Sequence, residues 1–205
     1  MKVLSVVVLA VLGCSLAQGR IVDKCDLRNQ LVTAISALTV NGEHKAMNDA
    51  NDVAKFVCHA EKSAGFNTSA VTDLPAGIED TSHQGGQNWP STGQQQSNDA
   101  SPWQTREPPQ PWTLLGVFQL SNRLFCDDGQ NPSKNICDTS CSNFLDDDTT
   151  DDVNCLLKFF SNSGFGAVQM SIEEILKMIH LILQPDCKDV QDSEYFAGCS
   201  QPPAP

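Results

Sequence analysis

Residues 125–155 read FCDDGQNPSKNICDTSCSNFLDDDTTDDVNC. Four cysteines fall in this stretch, Cys126, Cys137, Cys141 and Cys155, and near its end five carboxylates occupy seven positions: Asp146, Asp147, Asp148, Asp151 and Asp152. Like charges at that density repel, and a folded chain holds them together only against something positive. The sequence leaves three candidates: a helix N-terminus, basic side chains, or a bound cation. Val153, Leu156, Leu157 and Phe160 follow at helical spacing. Asp151 and Asp152 therefore fall in the first turn of a predicted helix, where the backbone dipole favours negative charge.

Outward from this stretch, the chain carries further signs of a secreted protein. Residues 1–17 hold one lysine, an apolar run from Val3 to Leu12 and small residues near the end. This is the pattern of a secretory leader, too short to span a bilayer, with cleavage expected after Ala17. Val11-Leu-Gly-Cys14 faintly resembles a bacterial lipoprotein site, but nothing downstream supports that reading. No other segment is apolar enough for a membrane span, so a soluble, extracellular protein is expected. Removal of the leader takes Cys14 with it and leaves eight cysteines: Cys25, Cys58, Cys126, Cys137, Cys141, Cys155, Cys187 and Cys199. An even count in a secreted chain reads as a disulfide framework, for which counting alone allows on the order of a hundred pairings. Zinc is the rival reading, but no Cys-x-x-Cys pair occurs and the compartment is oxidising. The formal net charge of −12 argues against nucleic acid and anionic membranes as partners.

Leu27, Leu31, Ile35 and Leu38 mark a helix over 25–38, stopped at Asn41-Gly42. Val53, Phe56, Val57 and Ala60 mark a second over 51–64, ended by Gly65. Residues 72–111 are rich in Gln, Gly, Ser and Pro and read as a long, largely disordered insert, its Trp89 and Trp103 either collapsed onto the domain surface or stacked on a sugar or partner. Residues 114–124, LLGVFQLSNRL, suit a strand and turn. The helix after the acidic run is expected to end near Asn162-Ser-Gly164. Ser171 and Glu174 form a capping-box pattern before a last helix, with Ile172, Ile175, Leu176, Ile179, Ile182 and Leu183 as its apolar set. His180 within that run reads as a packed or boundary histidine. The chain thus divides into a leader (1–17), one domain (18–199, with the insert 72–111) and a disordered tail (200–205), and a monomer is expected.

Three motifs set among the cysteines, VCHAEKSAGFNT (57–68), GVFQLSNRLFC (116–126) and the stretch at 125–155, resemble the c-type lysozyme and α-lactalbumin family. The resemblance covers most of the chain apart from the leader, the insert and the tail. It implies an α+β, lysozyme-like fold, with a helical lobe, a small β lobe and a cleft between them. It implies four disulfides: Cys25–Cys199, Cys58–Cys187, Cys126–Cys141 and Cys137–Cys155. It also implies that the acidic loop holds Ca²⁺ through the carboxylates of Asp146, Asp151 and Asp152 and the main-chain carbonyls of Asn143 and Asp148. α-Lactalbumin has a lysine where Asn143 stands, a departure that spares a ligand offered by the backbone alone. Short, hard Asp oxygens suit that ion.

Lysozyme is the standard case of two carboxyls flanking a glycosidic bond, one protonated to donate to the leaving oxygen and one ionised to meet the developing cation. The family places the acid five residues after its second cysteine. Here that residue is Ser63, and the second carboxylate position is Leu114. Neither can do the chemistry. Glu61 lies near the acid position but faces away, because two residues along a helix turn a side chain by about 200°. Leu124 and Phe125 stand where sugar-stacking aromatics are usual, and Ser121 where Asn is usual. The resemblance therefore implies a secreted, calcium-binding protein without muramidase activity that acts by binding a glycan or a protein. Two alternatives stand beside it. One is an active glycoside hydrolase with relocated carboxylates, Asp99 or Glu107 of the insert being conceivable acids. The other is a lactalbumin-like modifier of a glycosyltransferase. Asn67-Thr68-Ser69 adds a glycosylation sequon at Asn67.

Overall fold

The helix expected over 25–38 forms as α1, Lys24–Val40, and that over 51–64 as α2, Ala50–Ala64. Leu27 and Leu31 of α1 and Phe56, Val57 and Ala60 of α2 are buried, as their spacing requires. Gly65 and Phe66 both adopt left-handed backbone angles, φ 56° and 62°, and end α2. The computed structural model of the chain describes residues 19–40, 50–75, 111–161 and 170–199. The leader, the insert from residue 76 to 110 and the tail fall outside the described residues, as do Trp89, Trp103, Asp99 and Glu107.

A three-stranded antiparallel sheet follows, in the order β1 (Val71–Leu74), β2 (Trp112–Leu115), β3 (Leu120–Ser121). Val71 pairs with Leu115 and Leu74 with Trp112; Leu114 pairs with Ser121. Thr72–Leu74, read from composition as the start of the insert, therefore lie in β1. Their partners are about 40 residues away, and strand pairing at that distance leaves no local signature. A 3-10 turn (Cys141–Leu145) leads into α3 (Thr150–Phe160), α4 (Ile172–Ile182), a second 3-10 turn (Pro185–Cys187) and α5 (Asp192–Tyr195).

The helical lobe packs around aromatic side chains: Phe125 against Phe159, ring centroids 5.2 Å apart, and Phe56 against Phe160, 5.0 Å apart. The capping box of α4 is formed, Glu174 N donating to Ser171 Oγ at 3.1 Å and Ser171 N to Glu174 Oε2 at 2.9 Å. The buried face of α4 differs from the apolar set read off the sequence. Met178 and Ile182 are buried, whereas Ile172 and Leu176 are 75% and 59% exposed. Helical spacing identifies an amphipathic helix but not which apolar edge meets the core when the stripe is wide.

All four implied disulfides are present. Cys25–Cys199 and Cys58–Cys187 close separations of 174 and 129 residues. The C-terminal segment they draw in docks on α1 and α2. Arg28 pairs with Asp192 at 3.2 Å, Lys24 Nζ donates to the Tyr195 carbonyl at 2.9 Å, and Tyr195 OH donates to Glu61 Oε2 at 2.5 Å. Among the described residues no helix is long and apolar enough to cross a membrane.

Between β2 and β3, Gly116 takes φ 72° and donates its N–H to the Ala70 carbonyl. A Cβ there would strike the Phe144 carbonyl oxygen and lie 2.6 Å from Asp152 Oδ1. The β lobe can thus lie directly against the start of α3 only because this residue has no side chain. Gly116→Ala is expected to destabilise the protein by about 2–4 kcal/mol, combining left-handed strain with overpacking. Urea denaturation of the variant beside the wild type measures it.

Candidate metal centre

The acidic loop is pinned from both sides. Cys126–Cys141 ties the 3-10 turn to the end of the β lobe, and Cys137–Cys155 ties α3 to the preceding loop. Ser140 caps the turn, and Phe144 is fully buried beneath it. The Asn143 side chain donates to Thr139 Oγ1 at 2.9 Å, which leaves its main-chain carbonyl as the group it offers the loop.

The five aspartates are treated differently. Asp146 Oδ1 accepts from the Asp148 amide at 2.7 Å, and Asp148 Oδ1 from the Thr150 amide at 3.0 Å. Those two carboxylates cap the turn and the helix start. Thr150 and the nearby Arg20 guanidinium hold the Asp148 carboxyl below its ordinary range. Asp147 faces outward to the N-terminal segment: Arg20 N donates to its Oδ1 at 3.1 Å and Arg20 Nη2 to its carbonyl at 3.0 Å. Of the three positive candidates the sequence offered, the helix N-terminus and one basic side chain are thus in place.

The helix start reaches Asp152 only through that residue's own backbone N–H, which does not offset its burial. This residue is 1% exposed, and among the described residues its Oδ1 is buried with no hydrogen-bond partner, as is Asp151 Oδ2. Burial, then the charges of Asp151, Asp146 and Asp148, push the Asp152 carboxyl up from an ordinary 3.8 to about 9. Burial also raises Asp151, reinforced by Asp146 and Asp148. Like charges facing a desolvated carboxylate with an orphaned oxygen are what a divalent cation with hard oxygen ligands relieves. Among the described residues, however, no three His, Cys, Asp or Glu side chains are gathered as a metal-holding group. The implied donor set draws two of its five members from main-chain carbonyls, and Asp146 is turned to the Asp148 amide. The residues fit a hard cation.

Ser63 and Leu114, the positions at which the resemblance implies the hydrolytic carboxyls, are elsewhere, on α2 and β2. Ser63 Oγ donates to the His59 carbonyl one turn back, at 2.7 Å. Glu61, two residues before it, is bound by Tyr195 on the C-terminal side. Leu114 is 6% exposed. Directly paired residues of an antiparallel sheet share a face, so its row is Thr72, Leu114 and Ser121, with no ionisable group. Asp73 lies in the next row, accepting from Thr113 Oγ1 at 2.9 Å. Trp112, on the same face as Leu114, is buried, with Lys177 Nζ of α4 4.3 Å from its ring centre. His59 is buried between the lobes. Its Nε2 donates to the Phe118 carbonyl at 2.9 Å, and burial lowers its pKa.

Sequence reading missed Gly116, Thr149 and Arg20 as parts of this centre. Thr149 is buried before α3, its Oγ1 donating to Gln30 Oε1 at 2.6 Å. Only Gly116 had a signal, a glycine at a strand end, where close approach or positive φ is common.

A carboxyl that is protonated when folded and ionised when unfolded makes stability fall as pH rises between the two pKa values, here from about 3.8 to about 9. In chelator, Asp152→Asn removes that dependence. The variant is expected to melt above the wild type at pH 8, with the gap narrowing towards pH 4. Thermal unfolding of both proteins across that range checks it.

A sequence profile of the C-type lysozyme/alpha-lactalbumin family matches residues 76–175. Alpha-lactalbumin of Oryctolagus cuniculus is 57% identical over 53 residues, covering 25% of this chain and 38% of that protein. Alpha-lactalbumin of Ovis aries is 32% identical over 111 residues, 54% of each. The chain thus spans from 38% to 54% of the length of these relatives. Among solved structures, lysozyme from Equus asinus aligns with 89% of this chain and 100% of its own, at 23% identity and a TM-score of 0.47. Holo-type canine milk lysozyme aligns with 89% and 99%, at 22% identity and the same TM-score. With its motifs in order, its four disulfides and its helices beside a small sheet, this chain is similar to the C-type lysozyme/alpha-lactalbumin family.

Proposed function

We propose that this is a secreted, calcium-stabilised member of the family that does not hydrolyse glycosidic bonds and acts by binding a glycan or a protein. The observation that carries the first part is the state of the two hydrolytic positions. One holds an alcohol turned back onto its own helix, the other a buried hydrocarbon in a row of the sheet with no ionisable group. General acid catalysis needs a group that can hold and release a proton near neutral pH, and a serine hydroxyl does not. Glu61, the nearest carboxylate in sequence, is engaged by Tyr195, whose own pKa is raised by burial and by that carboxylate.

Calcium is supported by the chemistry of the loop. The carboxylates of Asp146, Asp151 and Asp152 and the carbonyls of Asn143 and Asp148 would hold it, and when bound it supplies positive charge to the acidic cluster. The chain's own residues do the rest. Two disulfides fix the loop, and Gly116 lets the β lobe close against Asp152. Secretion is supported by the leader-like residues 1–17 and by four disulfides, which persist in oxidising compartments.

Calcium at a hundredfold its dissociation constant is expected to raise the melting temperature by about 5–10 °C over the chelated protein. The purified, calcium-loaded protein is expected to leave chitooligosaccharide and peptidoglycan uncleaved. Cleavage that disappears on replacing a single Asp or Glu overturns the non-hydrolytic reading, and a melting temperature indifferent to chelator overturns calcium.

A further inference from the structure

We propose that Asn67 carries an N-linked glycan, seated beside Ile21. The tripeptide Asn67-Thr68-Ser69 lies in the turn that follows α2, before β1. Asn67 Oδ1 accepts from the Ser69 N–H at 3.0 Å and from Ser69 Oγ at 3.1 Å. The amide oxygen is therefore turned inward to the hydroxyl of the third residue of the tripeptide. Its Nδ2 is the opposite case. Among the described residues it donates no hydrogen bond, and it is absent from the buried polar atoms that lack a partner, so it faces solvent. Thr68, between the two, is buried and accepts from Arg20 N at 3.0 Å, which anchors the turn without using the side chain of Asn67.

A second observation is independent of the tripeptide. Asn67 forms an isolated antiparallel bridge with Ile21, which is 65% exposed. Directly opposed residues of such a bridge present their side chains on one side, about 5 Å apart. An exposed isoleucine beside the modified amide offers the apolar face of the first sugar ring a surface to lie on. The amide oxygen keeps its two hydrogen bonds after modification, because only nitrogen reacts. Nδ2 forms a bond to the anomeric carbon of the first N-acetylglucosamine of a lipid-pyrophosphate-linked oligosaccharide. The bond from that carbon to the phosphate oxygen breaks, the lipid pyrophosphate leaves with the electron pair, and Nδ2 loses one proton.

The inference rests on the secretory part of the proposed function and is independent of calcium and of hydrolysis. The test expresses the full chain, with its own first 17 residues, in a eukaryotic secretory cell line and maps the peptide containing Asn67 by mass spectrometry. Treatment with an amidase that releases N-glycans is expected to convert Asn67 to Asp and to sharpen and lower the band on a gel. Ser69→Thr should keep the modification. Ser69→Ala and Asn67→Gln should each remove it, and if either variant fails to fold, the wild-type peptide map alone decides. A chain in the medium whose Asn67 is an unmodified amide overturns the glycan and leaves secretion standing. A chain retained in cells and unmodified overturns both.

Discussion

One buried carboxyl organises this protein. Asp152 sits at the start of α3 with an oxygen that none of the described residues satisfies, facing three other aspartates and pressed against the backbone of Gly116. An unpaired charge in such a place is strongly disfavoured. Without a cation the group meets the problem by keeping its proton. The lobes nonetheless meet at this point. The turn between β2 and β3 closes over the helix start, and the disulfides at Cys141 and Cys155 hold the loop so that it cannot relax outward. The acidic loop and the helix start thus lie where the β lobe meets the helical lobe, as does the buried bond from His59 to the Phe118 carbonyl.

The frame of the fold does not depend on the side chains at positions 63 and 114. None of the four disulfides, the aromatic packing around Phe125 and Phe159, or the docking of α5 on α1 and α2 uses a side chain at position 63 or 114 to hold elements together through charge. Ser63 closes a bond within its own helix, and Leu114 adds apolar area to the sheet, as does Trp112 beneath Lys177. Positions 63 and 114 therefore give the frame a bond within a helix and buried apolar area, and no charge.

Much of this was legible in the sequence because it is local. The helices α1, α2 and α3 follow from their apolar spacing, and Ser171 with Glu174 announces the start of α4. The disulfide pairs, the hydrolytic positions and the implied metal ligands came from motif resemblance; cysteine spacing alone left the pairing open. What escaped was long-range. Thr72–Leu74 looked like low-complexity sequence because their partners lie beyond residue 111. Arg20 and Asp147 are 127 residues apart, and their bond has no sequence signature. On α4, Ile182 is buried as its spacing implies, but the burial of Met178 and the exposure of Ile172 and Leu176 are decided by what the helix packs against and not by its own pattern.

The central claim is that the buried carboxyl of Asp152 stays protonated until a cation replaces its proton. Calcium titration by calorimetry at pH 7, repeated in buffers of different ionisation enthalpy, counts the protons released on binding. Release approaching about one proton per chain, lost in Asp152→Asn, is the result this account predicts. Binding without proton release, or no binding at all, contradicts it.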